Sequence, residues 1–220
     1  MSTLQGKQAN KMAEMFLLST LALFPSAGCT TSSTTSSSEG GAVATAAERG
    51  LSSSMTMKEI YFAYGTDLTI SDGAGKIGTV EQRTLKFTPC FEYRDTNGKV
   101  LAYTSQNVFS FGTHIDIFDS EGTKIGALQD KVFSNLLSIS RVFSLQDANG
   151  KEIGTSEKFD FFATTVTIYT PDRKVLASIH RPAFDVGLAD WTIDIPGDVD
   201  KRLVVFIPAY KTHSDNHKAK

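Results

Sequence analysis

Apolar and polar residues alternate in short stretches along the chain from residue 58 onward, and turn residues separate these stretches. Four of the turns share one sequence pattern, and a fifth is a glycine-free version of it. An acidic residue closes a strand, Gly or Asn-Gly supplies the positive φ of a hairpin, and a Lys followed by an aliphatic residue opens the return strand. The turns lie at residues 72–78, 95–101, 119–126, 147–154 and, in a glycine-free form, 171–176. The pattern predicts a meander of β-hairpins.

The strands between these turns follow from the same alternation. Phe143 and Leu145 share one face of a stretch whose other face carries Ser144, which is the period-two pattern of a half-buried strand. About twelve short antiparallel strands would expose long edges as an open sheet, so the sequence predicts a mainly β fold closed into a barrel. The predicted strands are 59–64, 67–71, 76–87, 90–95, 100–109, 114–119, 124–130, 136–146, 152–158, 164–169, 174–180 and 191–195.

A barrel of about twelve strands is too wide for its own wall side chains to fill. The chain offers one apolar segment to fill it, Asp198 to Tyr210. Asp198 or Asp200 can cap a helix there, and Lys211 and His213 follow where a helix C-terminus favours cations. We therefore predict a central helix over about 198–210. A strand remains the alternative, because Pro208 removes a hydrogen bond inside a helix.

The N-terminus has the pattern of an export signal. Lys7 and Lys11 precede an apolar run from Met15 to Phe24, which is too short to span a membrane as a helix. Small residues then lead to Cys29, and the arrangement is similar to a bacterial lipoprotein signal, in which the cysteine becomes the lipidated first residue. We predict a signal peptide over 1–28 with lipidation at Cys29. An ordinary cleaved signal or a disordered N-terminal arm is the alternative.

Composition divides the remaining chain. Residues 29–55 are dominated by Ser, Thr, Ala and Gly, which cannot bury enough apolar surface to fold, so they are predicted to form a disordered tether. The barrel domain is predicted over 56–210, followed by a disordered tail over 211–220. The formal net charge of −2 provides no basic field for nucleic acid. The localisation predicted from these features is a membrane-anchored lipoprotein of the cell envelope, with a secreted soluble protein as the alternative.

The hairpin sequences also resemble those of a known family. The stretches from Tyr93 to Ala102 and from Tyr169 to Ala177, together with an apolar segment after Trp191, are similar to the LURP-one-related proteins. These belong to one superfamily with the tubby C-terminal domain and the phospholipid scramblases. The resemblance covers about Thr56 to Tyr210 and implies a twelve-stranded barrel around a central hydrophobic C-terminal helix. It implies no residue-level role.

Two motifs of binding sites occur without their structural context. The sequence from Gly73 to Gly78 matches a dinucleotide-binding glycine pattern, but a predicted strand follows it instead of the required helix. Asp95 and Asp147 open loops with a slight likeness to calcium sites, yet the positions eleven residues later are not Glu. Turn aspartates are the better interpretation. The sequence therefore predicts no metal and no cofactor.

Nucleophilic catalysis finds little support. Cys90 could act with His114 or His180 as base, but a buried strand cysteine is the better interpretation. His213 and His217 have metal-ligand spacing in a segment predicted to be an exposed tail. No catalytic constellation can be assembled, so we predict that the chain is not an enzyme. An enzyme of unrecognised type with a polar site at one barrel mouth is kept as the alternative.

Four cations are candidates for an anion site. They could gather on one rim and receive a lipid phosphate, as the tubby resemblance invites, although solvated loop charges explain them as well. The predicted function is a membrane-tethered, non-catalytic binding or scaffold module whose ligand is a membrane lipid, a phosphoinositide-like molecule or an apolar molecule near the membrane. A protein-interaction barrel without a small ligand is the alternative, and its partner protein is unknown. The four candidates are Lys158, Arg173, Lys174 and Arg181.

Overall fold

The computed structural model describes residues 50–60, 65–83, 88–107, 113–131, 142–157, 164–182 and 189–218. Their strands form one closed antiparallel barrel in which each strand pairs with its sequence neighbours. This confirms the predicted fold class. The strands are β1 (Ser54–Glu59), β2 (Leu68–Asp72), β3 (Gly75–Gln82), β4 (Phe91–Asp95), β5 (Val100–Asn107), β6 (His114–Asp119), β7 (Lys124–Asp130), β8 (Phe143–Asp147), β9 (Glu152–Ser156), β10 (Thr165–Tyr169), β11 (Val175–His180) and β12 (Asp190–Asp194).

The barrel closes where its first strand meets its last. β1 pairs with β12 from Ser54 opposite Asp194 to Lys58 opposite Asp190, so no strand is left with an unpaired edge. The up-and-down order gives the barrel two distinct ends. We call the end that carries the five tight hairpins the turn rim; its turns join β2 to β3, β4 to β5, β6 to β7, β8 to β9 and β10 to β11. The opposite end is the loop rim.

Each aspartate that closes a hairpin strand holds its turn together. In the β4–β5 turn, Asp95 Oδ1 accepts the backbone N–H groups of Asn97 at 2.9 Å and Lys99 at 2.8 Å. Asp119 and Asp147 accept the corresponding pairs of N–H groups in the next two turns. The interpretation as turn aspartates is therefore confirmed. In the fifth turn Arg173 takes the left-handed φ of 63° that glycine takes elsewhere.

The five hairpins also share one irregularity of pairing. Just after each turn the return strand carries one extra, aliphatic residue, which forms a β-bulge. Bulges bend a strand and increase its twist, so five of them around one end favour closure of the sheet. Immediately beyond each bulge a large inward-facing residue lies opposite a small one. These pairs are Ile70 with Gly78, Tyr93 with Ala102, Ile117 with Gly126, Leu145 with Gly154 and Ile168 with Ala177.

The C-terminal segment is helical, as predicted, and it is interrupted once. Helix α1 (Lys201–Val204) begins at the N-cap Asp200, whose side chain accepts the Arg202 N–H at 3.0 Å. Helix α2 (Phe206–Lys218) follows after Val205. Pro208 explains the interruption, because its ring lacks an N–H for the Val204 carbonyl four residues earlier and collides with that carbonyl.

The apolar part of this segment fills the barrel. Leu203, Val204, Val205, Phe206 and Ile207 are at most 5% exposed and belong to one cluster with the inward-facing residues of the wall. Burial of five large apolar side chains contributes about 10 kcal/mol to folding by transfer arithmetic, which is an upper estimate. The inference that the C-terminal segment plugs the barrel is confirmed.

Two predictions about the ends of the domain are wrong. The first strand was expected at 59–64 but lies at Ser54–Glu59, because Met55 and Met57 are its inward-facing residues. The disordered tail was expected from residue 211, yet α2 continues to Lys218 and Thr212 is 1% exposed. The tail was predicted to be disordered because the second half of α2 is polar on the side that contacts the polar loop rim.

Gly126 should be intolerant of a side chain. A Cβ built at this position would lie 2.4 Å from the backbone oxygen of Gln146 and 2.8 Å from a methyl carbon of Leu203 in α1. Gly126→Ala should therefore lower the free energy of unfolding by about 3 kcal/mol, measured by urea denaturation. Gly73→Ala is the matched control, because no atom lies within 4 Å of its added Cβ. Equal stability of the two variants would contradict the close packing of α1 on β7.

Candidate functional site

The barrel interior cannot serve as a ligand cavity along its axis, because α1 and the first half of α2 occupy it. Phe206 and Val205 are fully buried, as is the facing wall residue Phe91. Phe91 also packs edge-on against Tyr210, with ring centroids 4.7 Å apart. The surfaces left for binding are therefore the two rims and the outer wall.

The loop rim is lined by polar residues at the last inward-facing positions of its strands. Three of them bond to the second half of α2. Glu59 Oε1 accepts from Asn216 at 2.9 Å, and Gln82 Oε1 lies 3.2 Å from His213 Nδ1. The polar half of α2 is thus fixed to the mouth, and its side chains are largely committed to structure. Inward-facing polar residues of this rim include Glu59, Gln82, Gln106, Asp130 and Arg181.

Arg181 takes part in the third of these contacts. Its guanidinium forms an ion pair with Asp215 at 2.9 Å and lies 5.0 Å from the ring centroid of Trp191. Asp215 also pairs with Lys211 at 2.7 Å, one helical turn earlier in α2. The indole N–H of Trp191 donates to Thr212 at 2.9 Å. Arg181 therefore joins β11 to α2 and has a structural role at the loop rim.

A second link crosses the barrel at Tyr210. Its hydroxyl donates to the carbonyl of Pro89 at 3.1 Å, so the hydroxyl of Thr104, 2.9 Å away, donates to Tyr210. Thr104 in turn accepts the backbone N–H of Phe91 at 2.9 Å. Burial raises the pKa of Tyr210, and the hydrogen bond from Thr104 lowers it in part. The chain of bonds holds α2 against β4 and β5.

One buried polar atom of the loop rim has no partner. Among the described residues, Gln106 Oε1 is the buried side-chain oxygen that accepts no hydrogen bond. It follows Thr104 by two positions on β5 and shares its inward face. A buried acceptor without a donor is unfavourable, so this position can receive a hydrogen bond from a bound molecule or water. The sequence signal would have been a polar residue in phase with buried neighbours.

The turn rim carries a different arrangement. Each of the five hairpins places one lysine directly after its turn, and four of these lysines are exposed and make no ion pair within the described residues. The remaining one, Lys124, pairs with Asp116. The exposed cations are Lys76, Lys99, Lys151 and Lys174, with Arg173 beside the last of them. The sequence pattern predicts the repeated Lys as part of each turn but does not indicate that the lysines act together.

The predicted cation quartet is not assembled as one group. Arg173 and Lys174 lie at the turn rim, at the start of β11, whereas Arg181 follows the end of that strand at the loop rim. Seven extended residues separate Lys174 from Arg181 by about 23 Å. Lys158 lies outside the described residues. The sequence could not separate these positions because the up-and-down connectivity decides which strand ends meet.

The residues considered for nucleophilic catalysis are also apart. His114 on β6 bonds to Asp116 at 3.1 Å, and His180 on β11 bonds to Thr165 at 2.9 Å, so both side chains lie on the outer wall. Cys90 is buried ahead of β4. Neither histidine is on a strand that neighbours β4. The arrangement offers no nucleophile and base pair.

Three other sites were considered from the sequence: the glycine pattern, the histidines near the C-terminus and Cys29. The glycine pattern from Gly73 to Gly78 leads into strand β3, as expected for a hairpin. His213 was assigned to an exposed tail, but it lies in α2 and packs against Phe91. Cys29 lies outside the described residues. Within the described part of the chain, no acidic, His and Cys side chains are grouped as metal ligands, and no helix has the length and apolarity to cross a bilayer.

Thr212 should report on the seating of α2 through the single tryptophan of the chain. Thr212→Val keeps the shape but leaves the buried Trp191 N–H without an acceptor, which should cost about 1–3 kcal/mol of unfolding free energy. Urea denaturation followed by tryptophan fluorescence measures the loss. Thr192→Val, on the exposed side of β12, is the control and should change stability by less than about 0.5 kcal/mol. Equal effects would contradict the bond.

Alkaline pH should unfold the barrel in part through Tyr93. Burial, and secondarily the charge of Asp95, raise the pKa of Tyr93 to about 12 from its ordinary value of 10.0. Below pH 10 this stabilisation is fully present. As the pH rises towards 12 the unfolded chain loses its proton first, so the free energy of unfolding should fall. Tyr93→Phe should show a shallower fall over the same interval in urea denaturation. An identical fall of the unfolding free energy with pH in both proteins would contradict the raised pKa of Tyr93.

Comparisons with known proteins agree with this architecture. The model of the LURP-one-related family matches residues 53–208. The X-ray structure of an Arabidopsis thaliana protein is similar over 76% of this chain and 92% of that chain, with a TM-score of 0.52 and 10% identity, which supports the fold alone. Nothing matches among curated proteins. The tubby-like relationship is consistent with these matches, and the family's barrel suggests a binding module. Because the family model covers more than half of the chain, this protein belongs to the LURP-one-related family.

Proposed function

We propose that this chain is a non-catalytic binding module that is held at a membrane and contacts membrane lipid. The observation that carries the proposal is the filled interior. Leu203, Phe206 and the residues between them occupy the barrel axis, so a ligand must bind on the outside of the barrel. The exposed cations of the turn rim provide an outside surface that suits phosphate headgroups, including those of phosphoinositides.

The N-terminal region supports the membrane part of the proposal. The short apolar run from Met15 to Phe24 acts as an export signal, and Cys29 becomes the lipidated first residue of the mature chain. Residues 30–50, which are dominated by Ser, Thr, Ala and Gly, then serve as the tether that their composition predicts. Twenty-one residues span about 70 Å when fully extended, so the barrel can approach the membrane or a partner some distance from it.

Non-catalytic function is supported by the way the ionisable groups of the loop rim are used. A catalytic acid or base needs access to substrate and a pKa suited to proton transfer. Here Arg181 pairs with Asp215 and Glu59 bonds to Asn216, so these groups fix α2 in the mouth. A set of bonded, structural groups favours a binding role for the domain over an enzyme of unrecognised type.

Lipidation of Cys29 tests the anchoring. The full chain is expressed with its leader in a bacterial host, and acylation is followed with a clickable fatty acid while membranes are separated from soluble fractions. Cys29→Ser should abolish the label. Cys90→Ser, which changes the other cysteine of the chain, should keep the label. Labelling that persists in Cys29→Ser would sink the anchoring proposal and favour a secreted barrel that binds a protein partner.

A further inference from the structure

We infer that the turn rim is the face of the barrel that meets an anionic bilayer surface, through one cation from each of four hairpins. This inference rests on the proposed membrane function and assigns it to a particular surface. In the closed strand order the five hairpins occupy five of six positions around one end of the barrel. The exposed cations, which we call the lysine ring, are Lys76, Lys99, Lys151 and Lys174, with Arg173 beside Lys174.

The chemistry of the turns separates positive from negative charge. Asp95 and Asp147 turn their carboxylates inward, where each Oδ1 accepts two backbone N–H groups at 2.8 to 2.9 Å. The lysines that follow these turns are exposed and carry long flexible stems. A flat surface that approaches the rim therefore meets ammonium groups before it meets the turn carboxylates. The sequence unit that forms the hairpin therefore also places its exposed lysine outside its bound aspartate.

Some acidic groups at the rim remain exposed, and they limit the range of the attraction. Glu121, Asp172 and Asp198 lie at this end, while Asp200 is neutralised by Arg202 at 2.6 Å. The net field at a distance is therefore small, and attraction acts within about one Debye length, roughly 8 to 10 Å at physiological salt. Binding by the ring should be weak, reversible and sensitive to salt, which suits a second contact beside a covalent lipid.

The chain leaves the barrel at the same rim. The sixth position around the turn rim holds both the entry to β1 and the exit from β12, where Ile195 N–H donates to Ser53 at 2.7 Å and Lys201 donates to Leu51 at 2.9 Å. The tether thus begins at the turn rim. With this end facing the membrane the tether needs the least extension, and the loop rim faces away from the lipid.

Paired charge-removal variants test the inference. The background is the mature chain from residue 29 onward carrying Cys29→Ser, so that neither the apolar leader nor an acyl chain contributes to binding. Lys99→Gln with Lys151→Gln removes two ring charges, and Lys58→Gln with Lys131→Gln removes two charges from ion pairs elsewhere in the barrel. Both doubles change the net charge equally. Flotation is measured with vesicles of phosphatidylcholine alone or with 30 mol% phosphatidylglycerol, at low and high salt.

The ring double should bind anionic vesicles about tenfold to twenty-five-fold more weakly than the background at low salt, since each lysine near such a surface contributes about fivefold. The control double should stay within about twofold. Equal losses in the two doubles would show that only net charge matters and would overturn the assignment. So would unchanged binding of the ring double, or background binding that is the same with and without phosphatidylglycerol.

A protection experiment reads the orientation directly. Vesicle-bound protein is treated briefly with a membrane-impermeant amine-acylating reagent, and modification at each lysine is quantified by mass spectrometry. Lys76, Lys99, Lys151 and Lys174 should be protected several-fold relative to protein in solution, whereas Lys58 should react equally in both. Protection of Lys58 alone would reverse the orientation. Because neither experiment depends on acylation, their failure is distinguishable from loss of the Cys29 label.

Discussion

Closure of twelve strands creates an interior that the wall cannot fill, and the rest of the structure depends on how that space is occupied. The chain fills it with its own C-terminus, where Leu203 to Ile207 are almost completely buried. The choice has two consequences. It gives the sheet a core without any ligand, and it removes the interior as a binding site. Function is thereby confined to the outer surfaces, and each end of the barrel becomes specialised.

The hairpin unit explains how a repetitive sequence produces both curvature and a rim that carries exposed cations. In each unit the Asp or Thr that closes the strand accepts backbone N–H groups of the turn, and an aliphatic residue then forms a bulge that bends the sheet. The small residue next to the bulge leaves room inside the barrel. At Gly126, the side chain of Leu203 occupies this room. The lysine between turn and bulge remains outside and exposed in four of the units.

The two rims differ because α2 reaches only one of them. At the loop rim its polar second half bonds to Glu59, Gln82 and Arg181, so charges that resembled a surface site hold the helix in place. At the turn rim α1 is short and is capped by Asp200, and four of the five hairpin lysines make no ion pair within the described residues. A cation's position along the barrel axis therefore decides whether its role is structural or available for binding.

The number and order of strands, the hairpin turns, the closed barrel and the identity of its plug can all be predicted from the amino-acid sequence. These features are local: alternation defines each strand, Asp and Gly define each turn, and the apolar run at Leu203 to Ile207 has nowhere to go except the core. Only the folded structure shows which residues lie at the same rim. Lys174 and Arg181 are seven positions apart but lie at opposite rims, whereas Lys76 and Lys151 are distant in sequence and share one rim. The continuation of α2 beyond Tyr210 was likewise hidden, because its polar side chains are stabilised by partners on strands far away in the chain.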